Sequence, residues 1–443
     1  MIDLTPVQAT VLMLGLLLLT LATGFPLAFA VGFVGLVVGL LAIGPQSFNL
    51  IYIQIFSKIH GYTLLSSPMF VYMGYMLQRS GIAEKMYDAV YLFLGSVRGG
   101  LAATTIVVGA VLAACVGVIG ASVTMLTIVA LPAMVQRGYS KSLAAGTVCA
   151  SGTLGILIPP SIMLVVYGPM ANLSVGKLFM AAFIPGFLLA GLYIVYVGIR
   201  CLVQPAAGPA APIEERSAAP ILLRLWAVVK AAVPPALIIL AVLGVIYFGI
   251  APPTEAAAIG AFATTILAIA YRRFDLASLK DALSGTLRVA SMILLIVAMS
   301  VAYTSVFLWL GGGDVVAGYI TAAPGGRWGA FALIMIIIVI LGMFLEWMGV
   351  VFVMVPILGP TVTALGFDPL WFAMMIVICL QTGFLSPPFA TAIFYLRGAV
   401  DPSLGVSTMD VIRGVYPFIG VVLLVIFLCV VFPQIVLWLP STM

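Results

Sequence analysis

The sequence predicts an all-α polytopic membrane protein made of two inverted repeats, each with five crossings and one re-entrant hairpin, and with broken helices inside the apolar layer. Three observations predict it. Hydrophobic residues make up 64% of the 443-residue chain and charged residues 7%, against about one half and one quarter in soluble domains. Apolar runs long enough to span a roughly 30 Å hydrocarbon layer recur along the whole length. Two of these runs are interrupted by proline pairs, Pro159-Pro160 and Pro387-Pro388, and proline removes an N–H donor and clashes with the preceding turn.

Taken in order, the N-terminal stretch MIDLTPVQATVLMLGLLLLTLATGFPLAFA imitates a secretion signal, down to the small residues Ala28-Phe29-Ala30. It has no basic residue ahead of its apolar run, which continues to Ile43, so it is expected to stay attached as membrane segments. The first-half crossings are expected at 7–22, 28–44, 62–79, 142–170 and 178–199, with a hairpin at 101–136 that enters and leaves on one side. Those of the second half fall at 231–250, 254–271, 289–309, 370–396 and 415–437, with a hairpin at 328–365. Between the halves, QPAAGPAAPIEERSAAP (204–220) is rich in Ala and Pro and reads as a cytoplasmic linker separating 1–203 from 221–443. Amphipathic pieces at 82–97 and 314–323 read as interfacial arms ahead of each hairpin.

Sliding one half against the other by 228 residues superposes the two proline pairs. It also brings Ala28 to Ala256, Gly32 to Gly260, Gly138 to Gly366, Gly155 to Gly383, Gly186 to Gly414 and Pro132 to Pro360. The proline pairs set the displacement, so the other coincidences carry the case for an internal duplication. Five crossings per half is an odd number, which inverts the second repeat relative to the first. With the N-terminus outside, fifteen of the eighteen Lys and Arg residues fall inside and only Lys58, Lys177 and Arg327 outside, in keeping with the positive-inside rule. The formal charge of +5 follows from this topology and does not call for a nucleic-acid partner.

Composition also excludes chemistry. Cys115, Cys149, Cys201, Cys379 and Cys429 are scattered without paired spacing, and His60 is the sole histidine, so neither a disulfide framework nor a zinc site is indicated. An HExxH metalloprotease is ruled out. An intramembrane enzyme would need a catalytic constellation that one His and no clustered acidic pair do not provide.

Inverted repeats with helices broken near the midplane are the signature of a secondary transporter. A break exposes N–H groups that suit an anion and carbonyls that suit Na⁺ or H⁺. In the first half the hairpin is expected to turn at Gly120-Ala121-Ser122, and the broken crossing carries Ser151-Gly152-Thr153 through Ser161. In the second half the hairpin turns near Glu346-Trp347-Met348-Gly349, and the broken crossing carries Gln381-Thr382-Gly383 through Ser386-Pro387-Pro388. Singly, Ser122, Thr124, Thr153 or Thr382 is as well explained by a hydroxyl bonding back to its own turn, and Gly155 or Gly383 by helix packing; recurrence of the set in both halves favours function. Glu346 is a costly intramembrane carboxylate, and its role is open between cation ligand, proton carrier and a latch on the hairpin's own N–H groups. Glu255, opening a helix after Pro252, reads as favouring the helix N-terminus.

At these residues the chain resembles a known family, the large membrane subunit (DctM type) of tripartite ATP-independent periplasmic (TRAP) transporters in the ion-transporter superfamily. The motifs are GFPLAFAVG, SGTLGILIPPSIMLVVYG, PPTEAAAIGA, FLEWMG and QTGFLSPPFATAIFYLRG, spread over essentially the full chain. The resemblance implies a Na⁺-coupled importer of the elevator type in a bacterial inner membrane. It further implies a periplasmic binding protein that delivers a small organic acid and a small four-helix membrane subunit as partners. By motif, Gly120, Ala121 and Ser122 with Ser151, Thr153 and Gly155 would form one Na⁺ site, and Glu346, Met348 and Gly349 with Gln381, Thr382 and Gly383 the other. The family often carries Asp where Glu346 stands, which alters the reach of that carboxylate. Ser161 and Thr391, just past the proline pairs, together with Ser122, Thr124 and Ser386, are candidate contacts for the carboxylate substrate. No catalytic residue is expected. The rival expectation is a stand-alone carrier or antiporter with Glu346 as its proton site.

Overall fold

A computed structural model describes residues 3–116, 119–210, 220–388 and 390–443, and among these the regular structure is helical. The chain opens with α1 (Pro6–Ala22), α2 (Leu27–Ala42), α3 (Gln46–Ile59) and α4 (Ser66–Arg79). Helix α1 starts at a capping box, Thr5 with Gln8, directly ahead of Pro6, so first-turn N–H groups are satisfied without water. After α5 (Ile82–Leu94) come the hairpin arms α6 (Gly100–Val116) and α7 (Ile119–Gln136). The broken crossing consists of α8 (Lys141–Thr153), a tight turn at Leu154–Ile156, an irregular stretch and α9 (Ile162–Ala171), and α10 (Val175–Val203) follows.

The second half begins with α11 (Ile221–Tyr247), α12 (Pro253–Ala270), α13 (Leu276–Trp309) and α14 (Gly312–Thr321). Its hairpin arms are α15 (Gly326–Phe344) and α16 (Trp347–Ala364). Its broken crossing is α17 (Pro369–Leu385) and α18 (Thr391–Ala399), followed by α19 (Thr408–Val431) and the short α20 (Gln434–Leu437). Among the described residues eight helices, α7, α10, α11, α12, α13, α15, α16 and α19, are long and apolar enough to cross a membrane.

Several boundaries differ from the expected ones. Helix α3 lies between the crossings expected at 28–44 and 62–79; its mixed surface of Gln46, Ser47, Asn49, Gln54 and Lys58 conceals it from a search for apolar runs. The crossing expected at 289–309 is the second part of the 34-residue α13, which begins where Asp275 caps the N–H of Ser278 at 2.6 Å. Helix α11 begins ten residues ahead of the expected 231–250 crossing. The last expected segment, 415–437, divides into α19 and α20 on either side of Pro433. The linker is anchored where it leaves α10: Gly99 N–H donates to Gly208 O and Ser140 N–H to Ala207 O, each at 3.0 Å. Its remainder, 211–219, lies outside the described residues.

The halves interlock. Helix α2 packs on α13 of the other half, and α12 packs on α4 of the first. Small residues make these crossings close: a Cβ on Gly32 would meet Met299 Sδ at 2.4 Å, and one on Gly260 would meet Met73 Sδ at 2.6 Å. Helix α8 likewise crosses α19, where a Cβ on Gly146 would fall 2.2 Å from Gly414 O. With no hydrophobic force between helices in lipid, such close contact is what binds them. Inside this frame the hairpins, broken crossings, α10 and α19 form one continuous core.

Candidate functional site

Each broken crossing stops at the same kind of place. Helix α8 ends at Thr153, and α17 ends at Leu385. Both proline pairs, Pro159-Pro160 and Pro387-Pro388, are cis. The first break is sealed, since Leu154, Ile156, Leu157, Ile158 and Ser161 are at most 1% exposed. The Ser161 hydroxyl spans it by donating to Ile156 O at 2.7 Å, which satisfies a carbonyl released by the broken helix. The second break reaches a surface at Pro388. There Ala390 adopts φ +40, a left-handed conformation that disfavours a side chain, and its carbonyl accepts from Ile393 and Phe394 N–H to start α18.

The hairpins pack against both breaks. Arm α7 lies on α8 and, across the halves, on α18; arm α16 lies on α17 and, across the halves, on α9. Glycines permit backbone contact where each hairpin meets its own broken crossing. A Cβ on Gly152 would be 3.0 Å from Val123 Cα, and one on Gly383 would be 2.8 Å from Gly342 C. Two broken crossings and two hairpin ends thus converge on one buried region.

Residues Gly120, Ala121 and Ser122, expected to form the first turn between arms, stand instead in the first turn of α7. Gly120 is small because the Tyr395 ring covers it, with a Cβ there only 2.8 Å from the ring; that packing need resembles a turn signal in sequence. The connection itself, Gly117-Val118, lies outside the described residues. In the second hairpin the connection is Leu345-Glu346, while Trp347, Met348 and Gly349 begin α16.

Glu346 holds the N-cap position of α16 but makes no side-chain capping bond, so the latch on hairpin N–H groups is not formed. Gln381 is wholly buried, and neither its Oε1 nor its Nε2 has a hydrogen-bond partner. A buried amide left unpaired costs about 1–3 kcal/mol, so Gln381 carries hydrogen-bonding capacity that the described residues do not use. Thr391 Oγ1 is also buried without a partner. Ser151, Thr153 and Thr382 donate to Thr147 O, Ala150 O and Cys379 O at 2.6, 2.9 and 2.6 Å. A hydroxyl that donates to its own helix keeps its lone pairs as acceptors, so these oxygens remain suited to a hard cation. Gly155 sits in the tight turn after α8, Met348 and Gly349 are buried, and Ser122 and Ser386 are buried while Thr124 is half-exposed. Among the described residues no three His, Cys, Asp or Glu side chains cluster as a metal site, so a bound cation would rely on neutral oxygens with Glu346.

Tyr395 was not among the expected residues. It lies in α18 against Gly120 of the first hairpin and within electrostatic range of Glu346 in the second. Nothing in the local sequence FYLRG distinguishes it from an interfacial aromatic. Glu255 stands in the first turn of α12, as expected, and accepts from the Tyr62 hydroxyl at 3.3 Å.

Comparison with known proteins agrees with this architecture. The YdaH transporter of Alcanivorax borkumensis superposes with a TM-score of 0.64 over 97% of this chain and 99% of that one at 14% identity, a likeness of fold alone. In sequence, the chain is 31% identical to the C4-dicarboxylate TRAP transporter large permease protein DctM of Pseudomonas aeruginosa, over 91% of this chain and 92% of that one. It is 28% identical to the sialic acid TRAP transporter large permease protein SiaM of Vibrio cholerae, over 95% and 96%. Residues 14–435 match the family model described as tripartite ATP-independent periplasmic transporter, DctM component. The chain therefore belongs to the DctM family, the large permease subunits of tripartite ATP-independent periplasmic transporters.

Proposed function

We propose that this permease imports a small carboxylate into a bacterial cell, coupled to Na⁺, with a periplasmic binding protein delivering the substrate and a small membrane subunit completing the complex. The observation that carries the proposal is the packing of two hairpins on two broken helices, together with the buried, unpartnered Gln381 amide on the second of those helices. Helix ends and neutral oxygens supply what a cation and a carboxylate need, and no Lys or Arg stands among the residues named there. Na⁺ held near Gln381, Thr382 and Glu346, and near Ser122, Ser151 and Thr153, orders the hairpin ends. Thr391, Ser386 and Thr124 face the substrate from the opened ends of the helices.

The two halves are proposed as inverted repeats. Helix α7 begins at 119 and α16 at 347, the same displacement of 228 residues that aligns the proline pairs. The exchanged packing, α2 on α13 and α12 on α4, α7 on α18 and α16 on α9, is what a two-fold relation within the bilayer would give. The N-terminus is assigned to the periplasmic side from the basic residues; the ion pair of Arg79 with Asp281 at 3.2 Å joins two segments assigned to the inner face. In the elevator reading, the core of hairpins and broken crossings slides against a frame of α1–α4 and α11–α13, with α5 and α14 as the arms between them.

The test is uptake by the complex reconstituted with its two partners in vesicles. An inward Na⁺ gradient is expected to drive accumulation, and accumulation indifferent to Na⁺ would overturn the coupling. Glu346→Gln distinguishes the proton-carrier alternative: loss of pH dependence points to H⁺, and weakened Na⁺ dependence to the proposed mechanism.

A further inference from the structure

A cavity of about 780 Å³ lies away from the hairpin ends. It lies between α3 and the last turns of α13 on one side and the end of α9, the middle of α16 and the start of α17 on the other. In the proposed orientation this is the outer face, where a delivered substrate first meets the permease. Its size is that of a small-molecule site. The walls are largely apolar, with Gln54, Asn172, Thr304 and Ser305 supplying polar groups, and Lys58 is the one charged side chain among the described residues lining it.

Lys58 is held in place there. Its Nζ donates to Pro169 O at 3.0 Å and to Asn172 Oδ1 at 3.4 Å, at the end of α9 where Asn172 closes the helix in a left-handed conformation. Both partners are neutral oxygens, so the ammonium is positioned without being neutralised, and one of its three donors is left over. The nearest acid in sequence to the lining, Asp368, is occupied in accepting from the N–H groups of Leu370 and Trp371 at 2.8 and 2.9 Å. A fixed cation with no ion pair among the described residues, at the mouth of an otherwise apolar cavity, raises the local concentration of anions.

We propose that this cavity is a first binding station for a small carboxylate, with Lys58 as the charge contact and Gln54, Asn172, Thr304 and Ser305 hydrogen-bonding the remainder of the molecule. The inference rests on the reading of the protein as a carboxylate importer, and adds a site upstream of the hairpin ends that supplies the charge they lack.

Trp309 lines the same cavity and provides a reporter, isolated from the other tryptophans by subtracting the emission of a Trp309→Phe variant. The purified full-length chain is titrated with pyruvate and with succinate, and with succinamide as the uncharged counterpart. A saturable change of the Trp309 signal is expected for at least one carboxylate and none for succinamide. Lys58→Met is expected to raise the half-saturating concentration by about tenfold or more, as for loss of one charge-assisted hydrogen bond, and Lys58→Arg to stay within about threefold of the parent. Equal thermal midpoints of the variants and the parent show that folding is intact. A flat titration with both carboxylates, or a Lys58→Met curve that coincides with the parent's, overturns the site. The titration needs no ion gradient: a positive titration with Na⁺-independent uptake sinks the transport mechanism alone, and Na⁺-driven uptake with a flat titration sinks this station alone.

Discussion

Among single residues, Gln381 and Gly383 carry opposite kinds of constraint two positions apart. Gln381 is costly to the empty protein, because its buried amide has no partner. Gln381→Leu should therefore leave the thermal midpoint in K⁺ unchanged or raise it, by up to about 1–3 kcal/mol in stability, while abolishing the extra stabilisation expected in Na⁺. A variant that keeps the full Na⁺ shift would remove Gln381 from the ion site. Gly383 is needed for contact: a Cβ there would lie within 2.8–3.1 Å of three backbone atoms of Gly342. Gly383→Ala should push α17 from α15 and cost about 1–3 kcal/mol, read as a lowered midpoint with or without Na⁺. Sequence alone could list both residues as candidates, since each sits in an apolar run. It could not assign their roles, because an amide's partners and a glycine's neighbours belong to other helices. The same limit explains Gly120, taken for a turn residue when its neighbour is Tyr395, more than 270 positions later.

For whole elements, the legible features were those written in local chemistry. The proline pairs located both breaks, and the apolar runs located α7, α10, α12, α15 and α16 to within a few residues. What stayed hidden were helices whose surfaces mix polar and apolar residues, α3 and the first turns of α13. Part of their surface packs on other helices, so hydrophobicity does not announce them. Caps were written in the sequence too. At the start of α19, Ser407 and Asp410 form a capping box, with Asp410 N–H donating to Ser407 Oγ at 3.1 Å and Ser407 N–H donating back to Asp410 Oδ2 at 2.9 Å. Ser407→Ala should destabilise that end by about 1 kcal/mol, seen as faster amide exchange confined to the first turn of α19.

On the scale of the molecule, the bond of Lys58 to the end of α9 joins the proposed frame to the proposed core at the proposed outer face. A Lys58→Cys/Asn172→Cys pair joined by a short thiol cross-linker should stop uptake at saturating substrate, and reduction of a cleavable linker should restore it to the level of the unlinked double variant, which itself needs more substrate than the parent because both contacts of the proposed station are gone. Undiminished uptake in the joined protein would mean that α9 does not move against α3, and the elevator reading would fall. The four described native cysteines are buried and should not compete for the reagent. The two halves also differ in one mechanical respect. The chain bends at His60-Gly61 between α3 and α4, whereas the matching positions, Arg288 and Val289, lie inside the unbroken α13, a rod of about 51 Å at 1.5 Å per residue. A carrier made of two identical inverted halves would be carried onto itself by a two-fold rotation in the membrane plane, with outward-open and inward-open forms of equal free energy. In the proposed inverted-repeat carrier, a joint on one side and a rod on the other would lift that degeneracy and favour one end state even with no ion or substrate bound.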